Sequence, residues 1–247
     1  MIARFAVSSK GLVKRYGKRR ALDGFTLDVP EGCVMGLVGP NGAGKTTWMM
    51  AVAGLVRTEA GTIGLFGTSR PFIAAAHSGR LAILPQDSEL PLESTPEGFL
   101  CGLARLQGLG ADAAKASARK VLEAVNLADR AKASIRSLSH GMRKRLMAAQ
   151  CFLGEPDLIL LDEPMNGLDP EEAVRFRNLI LSRREGCTVV VSSHNLADLE
   201  KLCTHVTFVR DGKVVKTAAL KDLTAGGVSL EDVYLDCRRQ FKFDILA

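Results

Sequence analysis

The chain has 247 residues, 47% of them hydrophobic, which is enough to bury a large core and excludes a peptide-sized binding module. Its formal net charge of +6 admits anionic partners, but the basic clusters Lys14–Arg20 and Arg143–Arg145 lack the series of aromatics on which bases stack, so no nucleic acid is expected. Six cysteines (Cys33, Cys101, Cys151, Cys187, Cys203 and Cys237) stand singly, without a C-x-x-C pair or zinc-ligand spacing, and read as free thiols of a reducing compartment. No stretch has the length of a signal peptide's apolar region, and none approaches the roughly 18 apolar residues of a membrane span, so a cytoplasmic location is expected.

In chain order, residues 3–29 read as short alternating strands broken by Gly11, Gly17 and Gly24. The apolar run Val34–Val38 predicts a buried strand, followed by a helix that reaches Ala53 before Gly54. Leu81–Leu84 predicts a further strand. Residues 88–150 lack a strand pattern, contain Pro91 and Pro96, and run Ala- and Leu-rich from Phe99 through Leu127, which predicts an inserted helical subdomain. Leu158–Leu161 returns to the strand pattern. A helix then begins with Asp169 as N-cap, Pro170 at its first position and Glu171 and Glu172 in its first turn, with Gly186 as terminator. Thr188–Ser192 predicts another buried strand, and Asp211-Gly212 a hairpin turn between Val206–Arg210 and Lys213–Thr217. Branched apolar runs alternating with amphipathic stretches mark an α/β fold with a mainly parallel sheet, an attached antiparallel sheet and the insertion. One domain spanning 1–247 is the expected count, with its core in 1–87 and 151–247 and the helical subdomain in 88–150.

Gly39-Pro40-Asn41-Gly42-Ala43-Gly44-Lys45-Thr46 satisfies the spacing G-x-x-x-x-G-K-[ST] between a strand and a helix, the phosphate loop of nucleotide hydrolases. Its glycines let backbone N–H groups converge on phosphates without Cβ obstruction, and the helix N-terminus adds partial positive charge. Lys45 is expected on the β- and γ-phosphates, the Thr46 hydroxyl on Mg²⁺, and Thr47 beside the nucleotide in the same turn. The strand Leu158–Leu161 delivers Asp162 and Glu163 at its C-terminal end, where open parallel sheets bind ligands. Adjacent strand residues face opposite sides, so Asp162 is expected to hold the magnesium shell and Glu163 to polarise a water that attacks the γ-phosphate.

Between these motifs, Leu138-Ser139-His140-Gly141-Met142 resembles the LSGGQ signature of the ATP-binding-cassette (ABC) ATPases, and the chain is similar to that family over essentially its whole length, in the family's motif order. The resemblance implies that Tyr16 stacks on adenine and that Gln86 links the magnesium site to the helical subdomain. It also implies that Asn166–Asp169, ending in Asp169, is the D-loop, and that His194 holds the γ-phosphate. It implies a head-to-tail dimer in which Ser139, His140, Gly141 and Met142 of a second copy cover the ATP. A permease subunit in the membrane would dock near Gln86–Glu97.

His140 stands where the family has glycine and Met142 where it has glutamine. A side chain at 140 is tolerated if it points away from the nucleotide and impairs closure if it points inward. Met142 and the ending Ser229–Leu235 are similar to ABC exporters of drugs and lipids, so export is the expected direction. Two other functions stay open at this point. A soluble ABC ATPase acting on nucleic acid or ribosomes usually carries a long coiled-coil arm, for which the stretch from Gln86 to Leu138 has no room. A slow-turnover nucleotide-dependent regulator would be motivated by His140 and Met142.

Overall fold

The computed structural model describes residues 4–69, 79–86, 88–183 and 186–243, so positions 1–3, 70–78, 87, 184–185 and 244–247 of the expected domain lie outside the described residues. The strands are β1 (Phe5–Tyr16), β2 (Arg19–Pro30), β3 (Val34–Val38), β4 (Ala60–Leu65), β5 (Thr68–Ser69), β6 (Leu81–Leu84), β7 (Leu158–Asp162), β8 (Thr188–Ser192), β9 (His205–Arg210) and β10 (Lys213–Ala219). The helices are α1 (Lys45–Val52), α2 (Pro96–Leu106), α3 (Ala111–Ala124), α4 (His140–Ala149), α5 (Pro170–Ser182), α6 (Leu196–Leu202), α7 (Leu220–Leu223) and α8 (Leu230–Phe243).

One sheet has the order β10-β9-β3-β8-β7-β6, parallel throughout except for the β9–β10 hairpin; the other, β2-β1-β4-β5, is antiparallel. The α/β class and the two kinds of sheet agree with the sequence pattern. The central strands are apolar on both faces because both faces are covered. Along β7, Ile159 and Leu161 join one core with the helices, while Leu158 and Leu160 join a second core with α1 and the antiparallel sheet. Each such side chain contributes about 1.5–3 kcal/mol by leaving water. Trp48 fastens the second core: fully buried, its ring stacks on Phe25 at 5.9 Å and its indole N–H donates to Ser9 Oγ at 3.0 Å.

Two local expectations need correction. The glycines at 11 and 24 do not break the N-terminal region into short strands. Each takes a positive φ (62° and 75°) near a register shift, so β1 and β2 run through as twelve-residue strands and only Gly17-Lys18 turns the chain. Within the run Phe99–Leu127, Gly108, at φ 95°, separates α2 from α3. Helix α5 ends at Ser182, ahead of Gly186, whose φ of 90° instead turns the chain toward β8. Between 88 and 150 the described residues hold helices and no strand, with Thr95 capping α2 ahead of Pro96.

Candidate functional site

The phosphate loop leaves β3 and enters α1 through Gly44, at φ 111°, with the N–H groups of Lys45, Thr46 and Thr47 in the first helical turn. Its glycines are required by contact as well as by conformation. A Cβ on Gly39 would lie 2.2 Å from the carbonyl oxygen of Val209, and one on Gly44 2.5 Å from that of Ala21. The expected hairpin turn at Asp211-Gly212 is part of this cradle: Gly212 N–H donates to Ala43 O and its carbonyl accepts from Asp23 N–H, both at 2.9 Å. The Lys45 ammonium donates to Gly39 O at 2.7 Å and Pro40 O at 3.2 Å, which leaves one of its three protons for a ligand. Burial pushes the Lys45 ammonium below its ordinary pKa, while the charges of Glu163 and then Asp162 pull it back up.

Asp162 is the last residue of β7. One carboxylate oxygen accepts from Thr46 Oγ1 at 2.5 Å and the other from the fully buried Ser192 hydroxyl. Ser192 Oγ also accepts from Glu163 N–H at 2.9 Å, so one β8 side chain orients both acids. Glu163 lies past the strand end with φ 50°, so its direction comes from a left-handed backbone turn rather than from strand alternation. Its side chain is 9% exposed, and Oε2 sits 2.9 Å from Nδ1 of His194, which is 64% exposed. A β-strand sterically disfavours this conformation, and it is worth about 1–3 kcal/mol of strain held by the surroundings.

These groups open on a cavity of about 410 Å³, within the range of small-molecule sites. Of the residues singled out in the sequence, Tyr16, Asn41, Gly42, Gly44, Lys45, Thr46, Thr47, Gln86, Asp162 and Glu163 form its wall. His194 meets the site through Glu163. Gly39 and Ala43 are buried behind the loop, and Pro40 faces a separate small apolar cavity beside Phe208 and Tyr234. Ser139, His140, Gly141 and Met142 lie outside this wall, at the start of α4, where Ser139 Oγ caps the helix by accepting from Met142 N–H at 3.2 Å. His140 is exposed, whereas Met142 packs on the core. Asp169 likewise caps α5, accepting from Glu172 N–H at 2.8 Å.

Sequence reasoning missed Ser192, Gly212 and Arg19. Ser192 carries no motif of its own, and Gly212 reads in the sequence only as half of a hairpin turn. Arg19, which lines the cavity, belongs to the basic cluster Lys14–Arg20, and that cluster was the available signal.

The site is suited to a nucleotide with a hard cation. Among the described residues no group of three or more His, Cys, Asp or Glu could hold a metal. Thr46 and Asp162 instead offer two oxygen ligands beside a phosphate cradle. Mg²⁺ is held in this way, through one or two protein oxygens, substrate phosphates and water.

The ABC transporter family model matches residues 22–166. The chain is 34% identical over 217 residues, 86% of its length and 70% of the relative's, to the Nod factor export ATP-binding protein I of Burkholderia orbicola (strain AU 1054). It is 36% identical over 221 residues, 89% of its length and 70% of the relative's, to the daunorubicin resistance ATP-binding protein DrrA3 of Streptomyces coeruleorubidus. Among solved structures, the ATP binding subunit of an ABC transporter superposes with a TM-score of 0.84 at 27% identity, over 94% of this chain and 99% of that one. The loop, the paired acids and these matches together place the chain in the ABC transporter family, as an ATP-binding subunit.

Proposed function

We propose that the chain is a Mg²⁺-dependent ATPase that drives export through a separate membrane-spanning partner, acting as a head-to-tail dimer. The observation that carries this reading is the apposition of Thr46 and Asp162 at 2.5 Å inside a cavity whose wall also holds Lys45 and Glu163. The export direction rests on the relatives, whose names are those of a Nod factor export protein and a daunorubicin resistance protein. Tyr16 would hold adenine, Lys45 and the loop N–H groups the phosphates, and Thr46, Asp162 and Gln86 the cation side. When bound, Mg²⁺ neutralises developing charge on the transferred phosphoryl group. Glu163 accepts a proton from the attacking water, and His194, 2.9 Å from its carboxylate, would hold the γ-phosphate beside that acceptor.

Ser139 and the backbone at Gly141 would close the same nucleotide from a second copy, since a helix N-terminus offers donors to anionic oxygens. Residues 88–150 would act as a helical subdomain carrying this signature, and a permease would dock near Gln86–Glu97. Among the described residues no helix is long and apolar enough to cross a membrane, which accords with a peripheral subunit at the cytoplasmic face. The test is ATP hydrolysis by the purified chain, alone and with the membrane protein that co-purifies with it. Turnover that requires Mg²⁺ and rises with the partner is expected. Absence of activity in both settings would remove the motor reading.

A further inference from the structure

The basic cluster Lys14–Arg20 is not one surface feature, because its members have different partners. Lys14 Nζ lies 5.3 Å from the centre of the Tyr16 ring, Arg15 faces Glu59 with 3.6 Å between charged atoms, and Arg20 pairs with Asp23 at 2.6 Å. Arg20 and Lys213 together hold the Asp23 carboxyl below its usual range. Arg19 differs. Among the described residues it has no carboxylate partner; its guanidinium donates to the carbonyl oxygen of Gly42 at 2.6 Å, on the phosphate loop, and it forms part of the cavity wall.

We propose that Arg19 is a phosphate-contacting residue of the nucleotide site, a second cation that acts with Lys45 on the phosphate chain. This rests on reading the cavity as the ATP site. Register places Arg19 opposite Tyr16 across the β1–β2 turn, so the residue assigned to adenine and the guanidinium leave the hairpin side by side. One of five guanidinium N–H donors is used by Gly42 O, and the others are available for the bidentate geometry that phosphate oxygens accept.

Charge balance points the same way. The wall holds two cations, Arg19 and Lys45, against two carboxylates, Asp162 and Glu163. Without Arg19 the wall's own side chains would sum to one negative charge, and Lys45, the loop N–H groups and Mg²⁺ alone would face the triphosphate. A Cβ at position 42 would lie 2.1 Å from Arg19 Nη2, so the guanidinium packs directly on the loop backbone. A guanidinium held by one backbone carbonyl is preorganised, so less of its rotamer entropy is lost when a phosphate binds.

The test uses the whole chain and a fluorescent N-methylanthraniloyl ATP, titrated at two salt concentrations, with steady-state hydrolysis in parallel. Arg19→Ala should weaken nucleotide binding by about tenfold and make affinity less dependent on salt, the loss falling on KM rather than kcat. Arg19→Lys should recover part of the affinity, since it restores the charge without the planar fork. Arg20→Ala, which removes the neighbour paired with Asp23, should bind as the parent does. Arg19→Ala binding within twofold of the parent, while Lys45→Ala loses binding, would overturn the proposal and leave the nucleotide site intact. So would a loss in Arg19→Ala that Arg19→Lys does not relieve and that tracks a lowered melting temperature, since the bond to Gly42 would then be only a structural strap. A parent chain that binds no nucleotide would instead sink the ATP reading beneath it.

Discussion

Lys45 carries its charge in a buried position, held by two loop carbonyls and opposed by desolvation. A bound phosphate chain favours the ammonium form, so the pKa rises on binding. At alkaline pH near the depressed value the protein should therefore take up protons as ATP binds, and affinity should fall as pH rises through that value. Calorimetry in buffers of different ionisation enthalpy reads the uptake directly; no uptake, or affinity that climbs with pH, contradicts the assignment. Glu163 invites the complementary experiment. Glu163→Gln keeps the shape and removes the base, so ATP should still bind while kcat falls by about a hundredfold or more. Hydrolysis at the parent rate would take Glu163 out of its role. At this scale the sequence marked Lys45, Asp162 and Glu163 as candidates but not the geometry between them. The pairing of Asp162 with Glu163 was legible, whereas the left-handed turn at Glu163 and the Ser192 hydroxyl that orients both acids arise from strand neighbours distant in sequence.

Polar links join the elements around the site, and Arg145 makes one of them. From α4 its guanidinium meets Glu172 of α5 at 3.2 Å, with side chains 13% and 19% exposed, and donates to the carbonyls of Val125 and Asn126 at the end of α3 at 2.8 and 3.1 Å. Lys144 adds a bond from α4 to Asn166 O, beside the expected D-loop, and a Cβ on Gly141 would come within 2.6 Å of the Glu172 carboxylate. The start of α4 is thus packed on α5, the helix that follows Asp162 and Glu163. Arg145→Ala leaves Glu172 without its ion-pair partner and two carbonyls without their donor, and should cost about 2 kcal/mol, measured as a shift in urea midpoint with unchanged slope. A change under about 0.5 kcal/mol would show the link to be solvated. Such links were not legible, because Arg143–Arg145 reads in sequence only as charge. The cap at Asp169 was legible, whereas Ser139 and Thr95, which bond the N–H three residues on in the same way, were not read as caps. Glycines misled where one residue type serves two ends, breaking a strand or bulging within it, a choice settled by the partner strand.

For the molecule as a whole, the six cysteines are free thiols, as their spacing suggested. Burial pushes the Cys33 and Cys151 thiols to about 12 and Cys187 to about 11, and Cys203 is raised by burial as well. Near neutral pH the native chain should therefore expose few reactive thiols to Ellman's reagent, with half-buried Cys101 and Cys237 reacting first and the other four only on unfolding. Rapid labelling of all six would mean that the sheet core opens readily.

The larger consequence concerns the cavity, which has the loop and both acids in its wall and the signature residues outside it. If a second copy supplies Ser139 and Gly141, a defect in the loop and a defect in the signature can complement each other. In a mixed dimer of Lys45→Ala and Gly141→Asp, one composite site inherits both lesions and the other inherits neither. Random pairing makes half the dimers mixed, each with one intact site, so two inactive preparations combined should recover about a quarter of the parent rate. A site completed within one chain predicts no recovery at all. Hydrolysis by the mixture, compared with each variant alone at the same total concentration, separates the two. A mixture no more active than its components would remove the second copy from the reaction, and with it the role assigned to Ser139–Met142.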